Sequence, residues 1–105
     1  MPTLVEPPVL NRPERDSASR AQLAPLYWVV MHNDPVTTMD FVVEMLIRLF
    51  GYDADRAVEV MYAIHTTGLE KVGLMPLERA EFKVEMVHTS ARAHGFPLTC
   101  TIESD

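Results

Sequence analysis

Apolar residues recur along the chain in two periods, and the switches between them mark out the expected elements. Tyr27 to Met31 (YWVVM) is a β-branched and aromatic run that reads as a strand, ended by the turn formers Asn33-Asp34-Pro35. From Met39 to Phe50 the period becomes helical. Val42, Met45, Leu46, Leu49 and Phe50 form a buried stripe, while Asp40, Glu44 and Arg48 make a charged row on the other side. Thr37 or Thr38 can cap this helix, and Gly51 ends it. Asp53 caps a second helix of about a dozen residues, on which Ala57, Met61, Ile64 and His65 share one side until Gly68 stops it. Glu70 to Met75 is the weakest strand signal, with only Val72 and Leu74 apolar in alternation. Pro76 opens a third helix from Leu77 to about His94, closed by Gly95, with Ala80, Val84, Val87 and Ala91 as its stripe. Leu98, Cys100 and Ile102 then alternate with Thr99 and Thr101, as in a half-buried strand.

The element order is β-α-α-β-α-β. Three amphipathic helices and three strands, each needing cover on one face, predict an α+β two-layer sandwich with the helices on a small, mostly antiparallel three-stranded sheet. Residues 1 to 24 carry four of the eight prolines and no period, so they are expected to form a flexible N-terminal extension, with the folded domain spanning 25 to 105.

Composition narrows the function. At 105 residues and 48% hydrophobic content the chain can build one core. Its net charge of -6 argues against a nucleic-acid binder held by phosphate contacts. No apolar run approaches the roughly 20 residues of a membrane span, and the first residues lack the apolar stretch of a signal peptide, which together predict a cytoplasmic protein. Cys100 is the one cysteine, so an internal disulfide is excluded. There is no zinc-type cluster: His88 and His94 lie six apart, facing different sides of a helix, and no metal or cofactor is expected. A hydrolase would need Cys100 near a histidine base. An inward-facing cysteine on a strand serves instead as a small hydrophobe, so no enzyme activity is expected. What remains is a polar set, Asn33, Asp34, Thr37, Thr38 and His65, beside an apolar set, Met39, Val42, Met61, Ile64 and Leu98.

The runs VVMHNDPVTTMDFVVEML, RAVEVMYAIHTTG, MPLERAEFKVEMVH and GFPLTCTIE resemble, in order and spacing over residues 27 to 103, the ClpS adaptor family. Its members recognise the N-terminal residues of proteins marked for destruction (N-degrons) and deliver them to a Clp AAA+ unfoldase and its ClpP-type protease. The resemblance implies an α-amino site at Asn33, Asp34 and His65. It also implies a side-chain pocket drawn from Thr37, Thr38, Met39, Val42, Met61, Ile64 and Leu98, with Met39 at the position of a gating methionine that rejects β-branched residues. The favoured ligands would be N-terminal Leu, Phe, Tyr and Trp. Contact with the N-terminal domain of a ClpA- or ClpC-type unfoldase would fall on Glu78, Glu81 and Lys83, and nothing in the pattern calls for an oligomer. Pro35 stands where many members carry a second aspartate, and Thr38 where many carry a proline.

The implied chemistry is physically coherent. An α-amino group, with a pKa of about 7.7 to 8.0, is mostly an ammonium with three donors near neutral pH and needs three converging acceptors. A competing reading, a docking module with the fold of the ribosomal stalk protein's C-terminal domain, predicts exposed polar groups at Asn33, Asp34 and His65 without an adjoining pocket.

Overall fold

The computed structural model describes residues 24–105, so nearly all of the expected extension, residues 1 to 24, lies outside the described residues. The elements follow in the order β1 (Leu26–His32), α1 (Met39–Phe50), α2 (Ala54–Thr67), β2 (Leu69–Pro76), α3 (Leu77–Ala93) and β3 (Thr99–Ser104). The sheet has the order β2-β1-β3, and both pairings are antiparallel. Three helices on a three-stranded sheet is the expected two-layer sandwich. No helix among the described residues is long and apolar enough to cross a membrane.

Local chemistry sets most boundaries. Thr38 rather than Thr37 is the N-cap of α1, its hydroxyl accepting from Phe41 N–H at 3.2 Å. Asp53 caps α2 through Arg56 N–H at 2.8 Å. The last turn of α2 closes where Gly68 takes φ 99°, a left-handed conformation that strains any residue with a Cβ. In α1 the charged row is real in part: Arg48 pairs with Glu44 at 3.2 Å on the exposed side.

The central strand β1 buries Val29 and Met31 in the core, where Val42, Met45 and Leu46 of α1, Met61 and Ile64 of α2, and Ala80, Val87 and Ala91 of α3 meet them. Val84, Leu49 and Phe50 are only half-buried at its edge. Phe41, outside the expected stripe, is buried because its ring packs on His94 and Phe96, at centroid distances of 5.1 and 5.2 Å. That contact joins α1 to the turn after α3. No stripe within α1 could announce it.

Strand β2 shows why its sequence signal is weak. Val29 stands opposite Gly73 and Val30 opposite Lys71, so Val72 is an extra residue, a bulge, that breaks the alternation. Tyr52 donates its hydroxyl to the Val72 carbonyl at 2.8 Å and so satisfies a group that the bulge takes out of regular pairing. At the neighbouring position a Cβ on Gly73 would come within 2.8 Å of the Met75 Cε and 3.2 Å of the Phe50 ring, so the end of α1 packs closely on the sheet where this glycine stands.

Leu46 is fully buried at the centre of the core. Leu46→Ala is expected to lower the unfolding free energy by about 2 to 5 kcal/mol, whereas Ile47→Ala, on the exposed side of α1, should change it by less than about 1 kcal/mol. Urea denaturation of the two variants measures the difference.

Candidate functional site

The loop from Asn33 to Thr38 leaves the end of β1 and must reach the start of α1. Its path is fixed at both ends. Asn33 donates its N–H to the Gly68 carbonyl at 2.9 Å, which holds the end of β1 against the end of α2. Asp34 organises the rest: one carboxylate oxygen accepts from Val36 N–H at 2.8 Å and Thr37 N–H at 2.7 Å, and the other accepts from the Thr37 hydroxyl at 2.7 Å. This is an Asx-type turn, and Pro35 between its partners contributes a preset φ and no N–H to satisfy. Thr37 is thus tied to Asp34, while Thr38 is committed to capping α1.

The loop and two helices enclose one cavity of about 650 Å³. It is lined by Asn33, Asp34, Pro35, Val36, Thr37, Thr38, Met39, Val42, Met61, Ile64 and His65. Nine of the ten residues expected for an α-amino site and a side-chain pocket therefore line a single space. Leu98 does not: it is 1% exposed, in the core, and it is not among the lining residues. The resemblance implied a place for it in the pocket, but its side chain is buried in the core of the sandwich. Pro35 and Val36 also line the cavity, although the sequence reading assigned neither to the site. Val36, exposed and apolar in a loop of turn formers, was the available signal.

Polarity is divided across the cavity. Val42, Met61 and Ile64 are buried and make an apolar floor, and Met39 stands 40% exposed at the mouth. Asn33 and His65 are exposed at the rim, and among the described residues neither side chain has a hydrogen-bond partner. Burial works to raise the Asp34 carboxyl, but the Thr37 N–H, the Thr37 hydroxyl and the Val36 N–H, helped by the Arg92 charge, outweigh it and hold the group below its ordinary value of 3.8. A carboxylate has about four lone-pair sites. Three are taken within the loop, so Asp34 has room for one more donor and brings a fixed negative charge to the rim. The arrangement can hold a small cationic donor group with an apolar side chain attached to it. The docking-module reading predicts no such cavity.

Cys100 is 3% exposed, and burial pushes its thiol up to about 12, so it offers no thiolate. His88 does lie beside it, but its Nε2 accepts the Cys100 backbone N–H at 3.0 Å. That histidine pins β3 to α3. Among the described residues no group of His, Cys, Asp and Glu is placed to hold a metal ion. Glu78, Glu81 and Lys83 lie on α3, away from the cavity, with both glutamates exposed and Lys83 half-buried.

A family model described as "ATP-dependent Clp protease adaptor protein ClpS" matches residues 22–101. A relative of that description from Desulforapulum autotrophicum is 41% identical over 103 residues, 98% of this chain and 99% of its own. Another, from Nitratidesulfovibrio vulgaris, is 45% identical over 78 residues, 74% of this chain and 78% of its own. Among solved structures, Agrobacterium tumefaciens ClpS2 bound to L-phenylalaninamide superposes with a TM-score of 0.75 at 31% identity, covering 77% of this chain and 98% of that one.

Because the Asp34 carboxyl is held low in the folded protein, its contribution to stability is present above pH of about 3.8 and is lost as pH falls through the folded value. Asp34→Ala is expected to destabilise the protein by about 0.5 to 2 kcal/mol at pH 7, the range for a lost side-chain cap. The gap from wild type should narrow as pH is lowered from 5 to 2. Urea unfolding across that range measures it, and a constant gap would mean that the ionised carboxylate does not hold the loop.

Proposed function

The chain belongs to the ClpS family of ATP-dependent Clp protease adaptors, and from that membership we propose that it binds the bulky hydrophobic N-terminal residue of N-degron substrates. The observation that carries this reading is the single cavity joining Asn33, Asp34 and His65 to an apolar floor of Val42, Met61 and Ile64. A chain terminus is the one place in a polypeptide where an ammonium and a side chain leave the same carbon. An internal peptide N–H offers one donor and no charge, so a rim of three acceptors selects termini. L-Phenylalaninamide, the compound bound to the Agrobacterium tumefaciens neighbour, has this pairing of free amine and benzyl group.

In this reading the ammonium is shared by the Asn33 amide oxygen, the remaining acceptor site of Asp34 and a ring nitrogen of His65. The first side chain descends past Thr37, Thr38 and Met39 to Val42, Met61 and Ile64. Burial of a Leu or Phe side chain there is worth roughly 1.5 to 3 kcal/mol, and the charge-assisted hydrogen bonds add to it. Micromolar affinity, about -8 kcal/mol, follows once association costs are deducted. Met39 at the mouth narrows the way in, which disfavours side chains branched at Cβ, while methionine's flexibility suits both aliphatic and aromatic ligands.

The protein is then a non-enzymatic adaptor, acting as a monomer in the cytoplasm. It hands the bound substrate to the N-terminal domain of a ClpA- or ClpC-type unfoldase through Glu78, Glu81 and Lys83, which leave the cavity unobstructed.

Peptides differing only in their first residue test the proposal by fluorescence anisotropy. Leu and Phe peptides are expected to bind in the micromolar range, a Val peptide at least tenfold more weakly, and an N-acetylated Leu peptide not measurably. Tight binding of the acetylated peptide would remove the α-amino site from consideration. Met39→Ala is expected to narrow the gap between Val and Leu.

A further inference from the structure

We propose that the second residue of a bound N-degron also has a place on this protein: a cavity across Asn33 and Asp34 from the first, where His32 selects an uncharged polar side chain. The inference rests on the N-degron reading and extends it by one residue. This second cavity holds about 310 Å³ and is lined by His32, Asn33, Asp34, Pro97, Thr99 and Thr101. Asn33 and Asp34 line the first cavity as well, so the two spaces meet at the rim that receives the ammonium.

The pleat of the sheet decides the side on which the second cavity opens. In β1, Val29 and Met31 face the core, so His32 belongs to the opposite face. In β3 the buried residue is Cys100, and Thr99 and Thr101 flank it on that same opposite face, with Thr99 paired to His32. The ligand obeys the same alternation. Successive side chains of an extended chain leave in opposite directions from Cα atoms about 3.8 Å apart. With the first side chain between the loop, α1 and α2, the second is directed away from the helices, across the shared rim.

The hydrogen-bonding groups in this cavity define what fits. His32 Nε2 and the Thr101 hydroxyl oxygen are 2.7 Å apart, which leaves ring Nδ1 without a partner among the described residues. The Thr99 hydroxyl donates to the Pro97 carbonyl at 2.9 Å, and its oxygen is free to accept. Once the Asn33 amide oxygen faces the ammonium, the Asn33 NH2 remains as a donor at the border. A neutral imidazole Nδ1 donates or accepts according to which way the Thr101 hydrogen bond runs, and a side-chain amide, with both a carbonyl and an NH2, answers either form.

Charge argues against the alternatives. Among the described residues lining the cavity, Asp34 is the one acid and there is no lysine or arginine. The Arg92 guanidinium, whose charge reaches Asp34, is committed to the Phe96 and Leu98 carbonyls at 2.9 and 2.8 Å and does not line the cavity. A carboxylate at the second position would therefore meet Asp34 with no lining cation, while a basic side chain would meet an Asp34 already matched by the α-ammonium. An apolar side chain would leave the His32 and Asn33 groups unanswered.

The test uses the full chain and three peptides that begin with Leu and differ only in a second residue of similar length: Gln, Glu or Met. Fluorescence anisotropy at pH 7 is expected to show the Leu-Gln peptide bound at least about threefold more tightly than either of the others, the size of one net hydrogen bond. His32→Val, which keeps a strand-forming residue in β1, is expected to bring the Gln and Met peptides within about twofold of each other. In wild-type protein carrying 15N-labelled histidine, Leu-Gln should shift the His32 Nδ1 resonance further than Leu-Met does. All three wild-type affinities within about twofold, or a His32 resonance that moves equally with both peptides, would overturn the second site and leave first-residue recognition standing. Preference for Leu-Met would overturn the polar selectivity, and failure of every Leu peptide to bind would overturn the N-degron reading together with this extension.

Discussion

One main-chain hydrogen bond, from Asn33 N–H to the Gly68 carbonyl at 2.9 Å, ties the end of the central strand to the end of α2. The site depends on that tie. It brings the loop that carries Asn33 and Asp34 to the last turn of the helix that carries His65, and so places polar groups 32 positions apart in sequence around one opening. The carbonyl is presented by a residue at φ 99°, where a Cβ would strain the backbone although there is open space around it. The glycine is therefore set by conformation rather than by packing. Its N–H closes α2 on Ile64, so the same residue ends the helix and fastens the loop.

Within the loop, Asp34 divides its carboxylate between structure and charge. Three of its acceptor sites are filled by Val36 and Thr37, which makes the turn rigid before any ligand arrives. A rim that is already ordered loses less entropy on binding. The cost is that Asp34 has only a small share of its hydrogen-bonding capacity left for a ligand. In the proposed reading Asn33 and His65, without side-chain partners among the described residues, supply two directional acceptors, and Asp34 adds its one remaining acceptor site and its charge. The two threonines have similarly separate tasks, Thr37 bracing Asp34 and Thr38 starting α1.

The sandwich keeps its two outward-looking surfaces apart. The cavity belongs to α1, α2 and the loop between them and β1, whereas the exposed ridge of α3 stands beyond the sheet contacts that bury Ala80, Val87 and Ala91. His88, joined to the Cys100 N–H at 3.0 Å, and the Phe41, His94 and Phe96 aromatic cluster keep α3 in fixed register with the rest.

Residues 39 to 50 already announce a helix in their sequence, with its cap at Thr37 or Thr38, its stop at Gly51 and its buried side, because caps, stops and stripes depend on neighbours three or four positions away. The same holds for Asp53 and Gly68 at the ends of α2, and for the alternation around Cys100. The resemblance to the ClpS family likewise singled out nine of the eleven residues that line the cavity. The rest depended on contacts between distant parts of the chain. The bulge at Val72 follows from pairing with β1, and the burial of Phe41 follows from a turn more than fifty residues away. The inward turn of Leu98 follows from where β3 lies in the sandwich, and the filling of Asp34's acceptor sites from the path its loop takes between two anchored ends. Short-range periodicity determines which faces of each element are apolar; only the assembled layers decide which of those faces become core and which remain open as a site.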